Sequence, residues 1–534
     1  MKPMKRIIIS LICVPVLLAS CIEDADVTGY LTDGKREEIA QSDPDKAFSA
    51  TLVGMYQDMQ QYVYTDVSHN YFGQKSFDYL TSLMGNDMVM TGMYAMSIYH
   101  YILDYRGQNY VPTANRWREY YNTIANANSI LRECDPESTD PTVQKYRAIA
   151  LGFRGYAYLQ LTYLYSFSYY VGADDTKWGK GKTYDHSEEL CVPLITENTE
   201  GDQPRSTLKV IYSQILSDLE TAYGLFEQNN LVKTSTPTDI DGCVVAMHLA
   251  RAYMVLHDWD NAIKYAQVVI DNFPVLTTEE QILQGFSDIT LPDVVFGCDI
   301  TSDNATTYMS WFSQMDVYGA GYAGIGVWRA GFKPFVDRIA DNDIRLMWFC
   351  CDRSTGVDTP KGRVTRLRDT PYAAYVEYQS VKFIGAGRSR IVETGGDGTG
   401  WNLGDYIYLR SEEAYLIKAE ALAHKGDASA VTVLNDFMKT RQPDYNYTFT
   451  DKASLIEEIN FQKRVEFWGE GIEYLDNRRL NIPVDRTDQT WGAANNHYDV
   501  GKLYADQEDV KFLYQIPISE IENNDQIPAS DQNP

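Results

Sequence analysis

GCVVAMHLARAYMVLHDWDNAIKYAQVVIDNFP, residues 242–274, decides the fold. Val245, Leu249, Ala252, Tyr253 and Leu256 recur at helical spacing, and Ala262, Ala266, Val269 and Ile270 repeat the stripe after a short interruption. The spacing predicts two amphipathic helices joined by a tight turn. Ala252, Ala262 and Ala266 allow the two to approach closely, Asp258 or Asp260 can cap the second, and Pro274 ends it. One such pair cannot bury both of its apolar faces, so other pairs are required.

Residues 414–443, AYLIKAEALAHKGDASAVTVLNDFMKTRQP, supply a second pair with Gly426-Asp427 at the turn. Both resemble tetratricopeptide units, with His257 where that motif usually has Gly. They lie far apart and follow no fixed period, which implies helix pairs separated by long insertions and not a continuous solenoid. Elsewhere, 46–64, 117–132, 142–170 and 204–226 read as helices, as do 406–437 and 454–479. Residues 71–110 mix Met, Tyr, Gly, Asp and Asn without a clean period and read as loop-bearing, not core. Residues 277–404 read as loops with small sheets, and 512–534 as an extended, Pro-punctuated tail. The fold class expected is mainly α: about four tetratricopeptide-like helix pairs forming a scaffold, with an irregular loop-rich region that contains short β-strands.

The first 21 residues, MKPMKRIIISLICVPVLLASC, place Lys2, Lys5 and Arg6 before an apolar run from Ile7 to Leu18 that is too short for a stable membrane span. Leu18-Ala19-Ser20-Cys21 resembles a bacterial lipobox, so residues 1–20 are expected to be a signal peptide, with lipid on Cys21. Residues 21–45 then form an acidic tether, followed by an N-terminal helical part (46–230) and a helix-pair and loop-rich part (231–534) of one composite globular domain. Loss of the leader removes Lys2, Lys5 and Arg6 and no acid, moving the formal charge from −27 to −30. Such a surface repels nucleic acid and anionic lipid. Tyr (40) outnumbers Phe (19), a balance that favours half-wet binding surfaces over dry core. The six cysteines beyond Cys21 contain no CxxC pair, so neither a zinc site nor a disulfide scaffold follows.

Catalytic motifs are weak or missing. Gly319 to Gly324 fits GxGxxG, but no strand-turn-helix unit surrounds it. The seven histidines sit singly, without HExxH, and there is no GxSxG. Carboxylates are abundant because the chain is acidic, and Arg464, Glu466, Glu470, Arg478 and Arg479 read as structural ion pairs. No enzyme activity, catalytic residue, cofactor or metal is expected.

Five stretches, 146–165, 204–226, 242–274, 408–436 and 459–480, together with the closing IPISEIENNDQIPASDQNP and the lipobox, resemble the SusD/RagB family of outer-membrane nutrient-binding lipoproteins. The resemblance implies a non-catalytic lipoprotein, lipid-anchored in the outer membrane and exposed at the cell surface. It captures oligosaccharide or polysaccharide and passes it to a SusC-like TonB-dependent transporter. A peptide-capturing RagB-like lipoprotein and an exported glycan-degrading enzyme are the alternatives. The ligand site is expected where two aromatic stretches, 71–101 and 306–328, meet at one surface. Tyr94, Tyr99, Trp311, Tyr318, Tyr322 and Trp328 are its candidate platforms, with Asn86, Asp87 and Arg329 as hydroxyl partners; the loops within 364–401 are the alternative location.

Overall fold

The deciding stretch folds in the computed structural model as α7 (Gly242–Val255) and α8 (Trp259–Asn272), in a chain whose earlier elements are α1 (Pro44–Gln60), α2 (Gln74–Ser82), β1 (Met88–Val89), α3 (Ile98–Tyr101), α4 (Val111–Glu133), α5 (Pro141–Tyr165), β2 (Tyr170–Val171), β3 (Tyr184–Asp185), β4 (Leu190–Pro193), β5 (Arg205–Thr207) and α6 (Leu208–Gln228). After them come α9 (Glu279–Leu283), β6 (Val294–Cys298), α10 (Trp311–Met315), β7 (Ala330–Gly331), α11 (Lys333–Val336), β8 (Phe349–Cys350), β9 (Gln379–Ser380), β10 (Tyr406–Arg410), α12 (Glu412–Lys425), α13 (Ser429–Met438), α14 (Lys452–Glu466), α15 (Ile472–Leu480), β11 (Val484–Arg486), β12 (Lys502–Tyr504) and α16 (Ile518–Asn523). The structure describes residues 42–60, 71–90, 97–301, 310–317, 321–323, 329–350, 378–385, 404–487 and 502–534, with 39, 327 and 497, apart from 105, 174 and 180. The fold is mainly α, and among the described residues no helix is long and apolar enough to cross a membrane.

The α7–α8 pair forms for local reasons. Asp241 caps α7 by accepting from the Cys243 and Val244 amides (2.9 and 3.1 Å), and Asp258, not Asp260, caps α8 through the Asn261 amide (3.1 Å). Val245, Leu249, Ala252, Ala262, Ala266 and Val269 are buried between the helices and their neighbours. His257 takes the left-handed conformation (φ +56°) that the motif normally gives to Gly. Its ring packs between Tyr170, tilted at 4.9 Å, and Trp259, stacked at 4.8 Å. Gly426 (φ +72°) makes the equivalent turn between α12 and α13.

Helices α4 and α5, α7 and α8, α12 and α13 pack as pairs, α6 joins the first two, and α14 and α15 follow the third. Antiparallel pairing of β6 with β10 brings α12 against α8, so the second tetratricopeptide-like pair stacks on the first across more than a hundred intervening residues. Three apolar cores result. One lies within α1 and α4–α8, one joins α2 and β1 to residues 276–349 and Trp468, and one lies among α12–α15.

Several sequence expectations change. Residues 71–90 are core, not loop: Phe72, Tyr79, Leu80, Leu83, Met88, Val89 and Met90 are all buried in the second core. Residues 205–207 pair with β4 as a strand, so α6 starts at 208, and 406–410 is strand, not helix. The helix expected over 454–479 is two, separated where Gly469 and Gly471 adopt φ of +84° and +82°. The tail is not wholly extended, and its Asn533 donates to the carbonyls of Tyr165 (2.9 Å) and Tyr514 (2.7 Å) while Arg205 holds its side-chain oxygen.

One contact between pairs makes stability depend on pH. His424 of α12 stacks on Trp259 at 4.1 Å, with its ring nitrogens facing Asp175 (3.0 Å) and Glu420 (3.6 Å). Burial pulls its pKa down, but the two carboxylates outweigh burial and hold it above the ordinary histidine value. A raised folded pKa means that the stabilisation is complete below about 6.5 and is lost as pH rises through the folded value. The melting-temperature difference between wild type and His424→Gln is therefore expected to shrink steadily from pH 5.5 to 9. A constant difference means that stacking alone holds the contact.

Candidate functional site

Two-residue strands carry no period in the sequence, yet their register organises the irregular region. The sheet order is β1-β7-β9-β8, antiparallel throughout, with Val89 opposite Ala330, Ala330 opposite Gln379, and Gln379 opposite Cys350. These four residues form one row. The chain leaves the row after Val89 and after Cys350 and returns to it at Ala330 and at Gln379. Because neighbouring strands are antiparallel, the chain leaves β1 and enters β7 at one end of the sheet, where 91–96 and 318–328 attach, whereas it leaves β8 and enters β9 at the opposite end. The first aromatic stretch contains β1, which pairs with the β7 strand that follows the second, and the two stretches touch in the interior where Lys75 Nζ lies over the Trp311 ring.

Beneath the end shared by β1 and β7 lies a buried clamp. Arg329 donates through Nε to the Tyr79 hydroxyl (2.8 Å), through Nη1 to the Val327 carbonyl (3.0 Å) and through Nη2 to Gln314 (3.1 Å), and the Tyr79 hydroxyl also meets Ser97 Oγ (2.9 Å). Asp87 pairs with Arg464 (Nε to Oδ2, 2.7 Å), and its carbonyl accepts from Trp468 Nε1 (2.9 Å) and the Phe332 amide (3.0 Å). The Asn86 amide donates to Glu473 (2.6 Å), and its side chain bridges the Pro483 carbonyl (3.0 Å) and the Asp485 amide (2.6 Å). Burial, then the neighbouring Asp87, pushes Glu473 up to about 7.

Asn86, Asp87 and Arg329 are accordingly positioning groups at 8%, 2% and 2% exposure, not surface partners for a ligand's hydroxyls. Trp311 is also corrected: at 1% exposure its ring packs edge-on to Phe383 (4.9 Å) beneath Lys75 Nζ (4.5 Å), leaving no open face. Tyr99, at the start of α3, is 39% exposed, and Tyr322 is half-buried with its amide near Ser313 Oγ (3.2 Å). Tyr94, Tyr318 and Trp328, with most of 364–401, lie outside the described residues. Of the GxGxxG letters, Gly321 is described and packs so closely on Ser313 that a Cβ would lie 2.5 Å from its Cα. That is a packing glycine, not a phosphate cradle.

Most of the singled-out charges in and between α14 and α15 are ion-paired inside the protein. Glu466 accepts from Arg441 (2.9 and 3.0 Å) and Arg410 (3.0 Å), with Arg345 at 3.5 Å, and Glu470 pairs with Arg410 (2.9 Å) and Lys382 (2.7 Å). Burial would raise Glu470, but Arg410 and Lys382 bring it down to about 2. Arg479 pairs with Glu420 and Asp476, whereas Arg478 donates to the Ser166 carbonyl (2.7 Å) and makes no ion pair among the described residues. Sequence reading missed Tyr79, Gln314, Arg345, Arg410 and Arg441, whose partners in these clusters stand between 15 and 250 positions away. No local pattern marks them.

Two family models match the chain: a SusD-like model described as starch-binding and associating with the outer membrane, over residues 40–240, and the SusD family, over residues 361–534. No curated protein shows a significant match. Among solved structures, a SusD-like carbohydrate binding protein from Bacteroides vulgatus superposes with a TM-score of 0.73 at 23% identity, covering 92% of this chain and 98% of that one. A SusD superfamily protein from Bacteroides thetaiotaomicron gives 0.68 at 19% identity over 92% and 99% of the two chains. Surface glycan-binding protein A of the same organism, solved in complex with laminarihexaose, gives 0.62 at 16% identity over 92% and 99%. At these identities the likeness is one of fold. With the two family models at either end of the chain and the α7–α8 pair between them, the chain belongs to the SusD/RagB family.

Proposed function

We propose that the protein is a non-catalytic, lipid-anchored lipoprotein of the outer-membrane surface that captures oligosaccharide or polysaccharide and delivers it to a SusC-like TonB-dependent transporter. The observation that carries this reading is the end shared by β1 and β7, to which 91–96 and 318–328 attach, backed by the clamp of Arg329, Asp87 and Asn86. Tyr99 and Tyr322 serve as platforms there, with Tyr94, Tyr318 and Trp328 on the attached segments. A pyranose offers an apolar C–H face to such rings, while amides and carboxylates take its hydroxyls. A fold neighbour that holds laminarihexaose supports the same ligand class. Non-catalysis is supported by the placement of Asp293 and Glu412: this carboxylate pair is fully buried beside Arg410, where no polymer reaches it.

Affinity electrophoresis through gels containing amylopectin, laminarin, arabinoxylan or galactomannan tests the reading. At least one polysaccharide is expected to retard the protein, with no reducing ends released. Retardation by none, or product whose formation tracks the protein, contradicts it. Anchoring is read separately. Cys21→Ala is expected to move the protein from the membrane to the soluble fraction, and a variant still in the membrane without a partner argues against lipid at that residue.

A further inference from the structure

A second concavity lies between the segment Arg338–Asp343, residues Gln442–Thr448 after α13, and the α14 face that carries Glu458, Phe461 and Gln462. It encloses about 570 Å³ and shares no lining residue with the sheet-end site. That volume falls within the roughly 300–1,000 Å³ of small-ligand sites.

The groove is held in shape by its own hydrogen bonds. Tyr447 exchanges two with Asn435, its amide donating to Oδ1 (2.7 Å) and its carbonyl accepting from Nδ2 (3.2 Å). The Tyr445 hydroxyl donates to Glu458 (2.7 Å), which also accepts from Gln462 (2.7 Å), and Asn342 donates to Asp444 (2.5 Å). Arg338 lies over the Phe461 ring at 4.0 Å. The lining therefore combines half-buried tyrosine rings with the exposed side chains of Asp444, Asn446 and Thr448.

Charge and polarity select the occupant. Asp343 is neutralised by Arg345, so Asp444 and Glu458 outnumber Arg338, and an anionic ligand is disfavoured. An apolar ligand strips water from the exposed Asp444, Asn446 and Thr448 without replacing its hydrogen bonds. A neutral pyranose chain satisfies both parts of the lining, with C–H faces on the tyrosines and hydroxyls on Asp444, Asn446 and Thr448. We infer that this groove is a second saccharide-binding subsite, which engages the same polymer that the sheet-end site captures. The inference rests on the glycan-capturing reading above. Two contacts on one chain raise apparent affinity without any new chemistry at either.

The test is the same gel assay, with Tyr447→Ala, which removes a platform, and Asn446→Trp, which fills the groove from an exposed position, each verified as folded by its melting temperature. For the polysaccharide that retards wild type, the apparent Kd is expected to rise about tenfold in both. Both variants within twofold of wild type overturn the subsite and leave the capture reading standing. If the two disagree, the filling variant decides, since it acts only by occupying the groove. Wild type retarded by no polysaccharide overturns the capture reading, and the subsite with it.

Discussion

Replacing Glu466 with Gln is expected to destabilise the protein by about 3–5 kcal/mol, because it removes the anion that three buried guanidinium groups share. Glu466, Arg345, Arg410 and Arg441 are each at most 1% exposed. Arg441 also donates to Glu412 (3.1 Å), and Arg410 lies over the rings of Phe467 (4.5 Å) and Phe286 (4.7 Å), so the cluster ties β10, α12 and α14 into one junction between two cores. Glutamine keeps the shape and removes the charge, which leaves the arginines buried and under-compensated. Burial raises the Glu466 carboxyl, but Arg441 and Arg410 reverse this and hold it far below the usual carboxylate range. A depressed pKa places the linked stability above the unfolded value of about 4.3, to be lost as pH falls below it. Urea denaturation of wild type and variant at pH 7 and pH 3.5 reads both effects. A loss under 1 kcal/mol at pH 7 refutes the junction.

Trp311→Ala is the second large effect, about 3–5 kcal/mol, since the indole fills core beside Phe383 and its removal leaves a cavity. Tyr99→Ala and Tyr322→Ala, at exposed and half-buried positions, are expected to cost less than about 1 kcal/mol. The contrast separates a structural aromatic from platform aromatics in the same region. A Trp311→Ala protein as stable as wild type, with weaker glycan binding, returns Trp311 to the site.

Reading the chain found what is local. The helical stripe of 242–274, the cap at Asp258 and the turn at Gly426 depend on neighbours within a few positions, and each is visible as spacing. Residues 71–90 were legible only in part. Their Met, Tyr and Gly residues have no period because the core that buries them is shared with Ala330 of β7, Tyr378, Phe383 and Trp468, hundreds of positions on. The same distance hid the roles of Asp87, whose partner is Arg464, and of Arg329, whose partner is Tyr79. Composition marks these stretches as aromatic, but it does not tell a ring in the core, such as Trp311, from an exposed one, such as Tyr99.

The central claim is that glycan is held at the sheet end and is not cleaved there. Its most direct measurement is isothermal titration calorimetry of wild type and of the Tyr99→Ala/Tyr322→Ala double variant with the retarding polysaccharide, with the recovered ligand sized afterwards. Wild type is expected to bind in the millimolar to micromolar range, about −4 to −8 kcal/mol, the folded double variant to bind at least tenfold more weakly, and the ligand to return at its original size. Equal affinity in the two proteins, or a shortened ligand, contradicts the account.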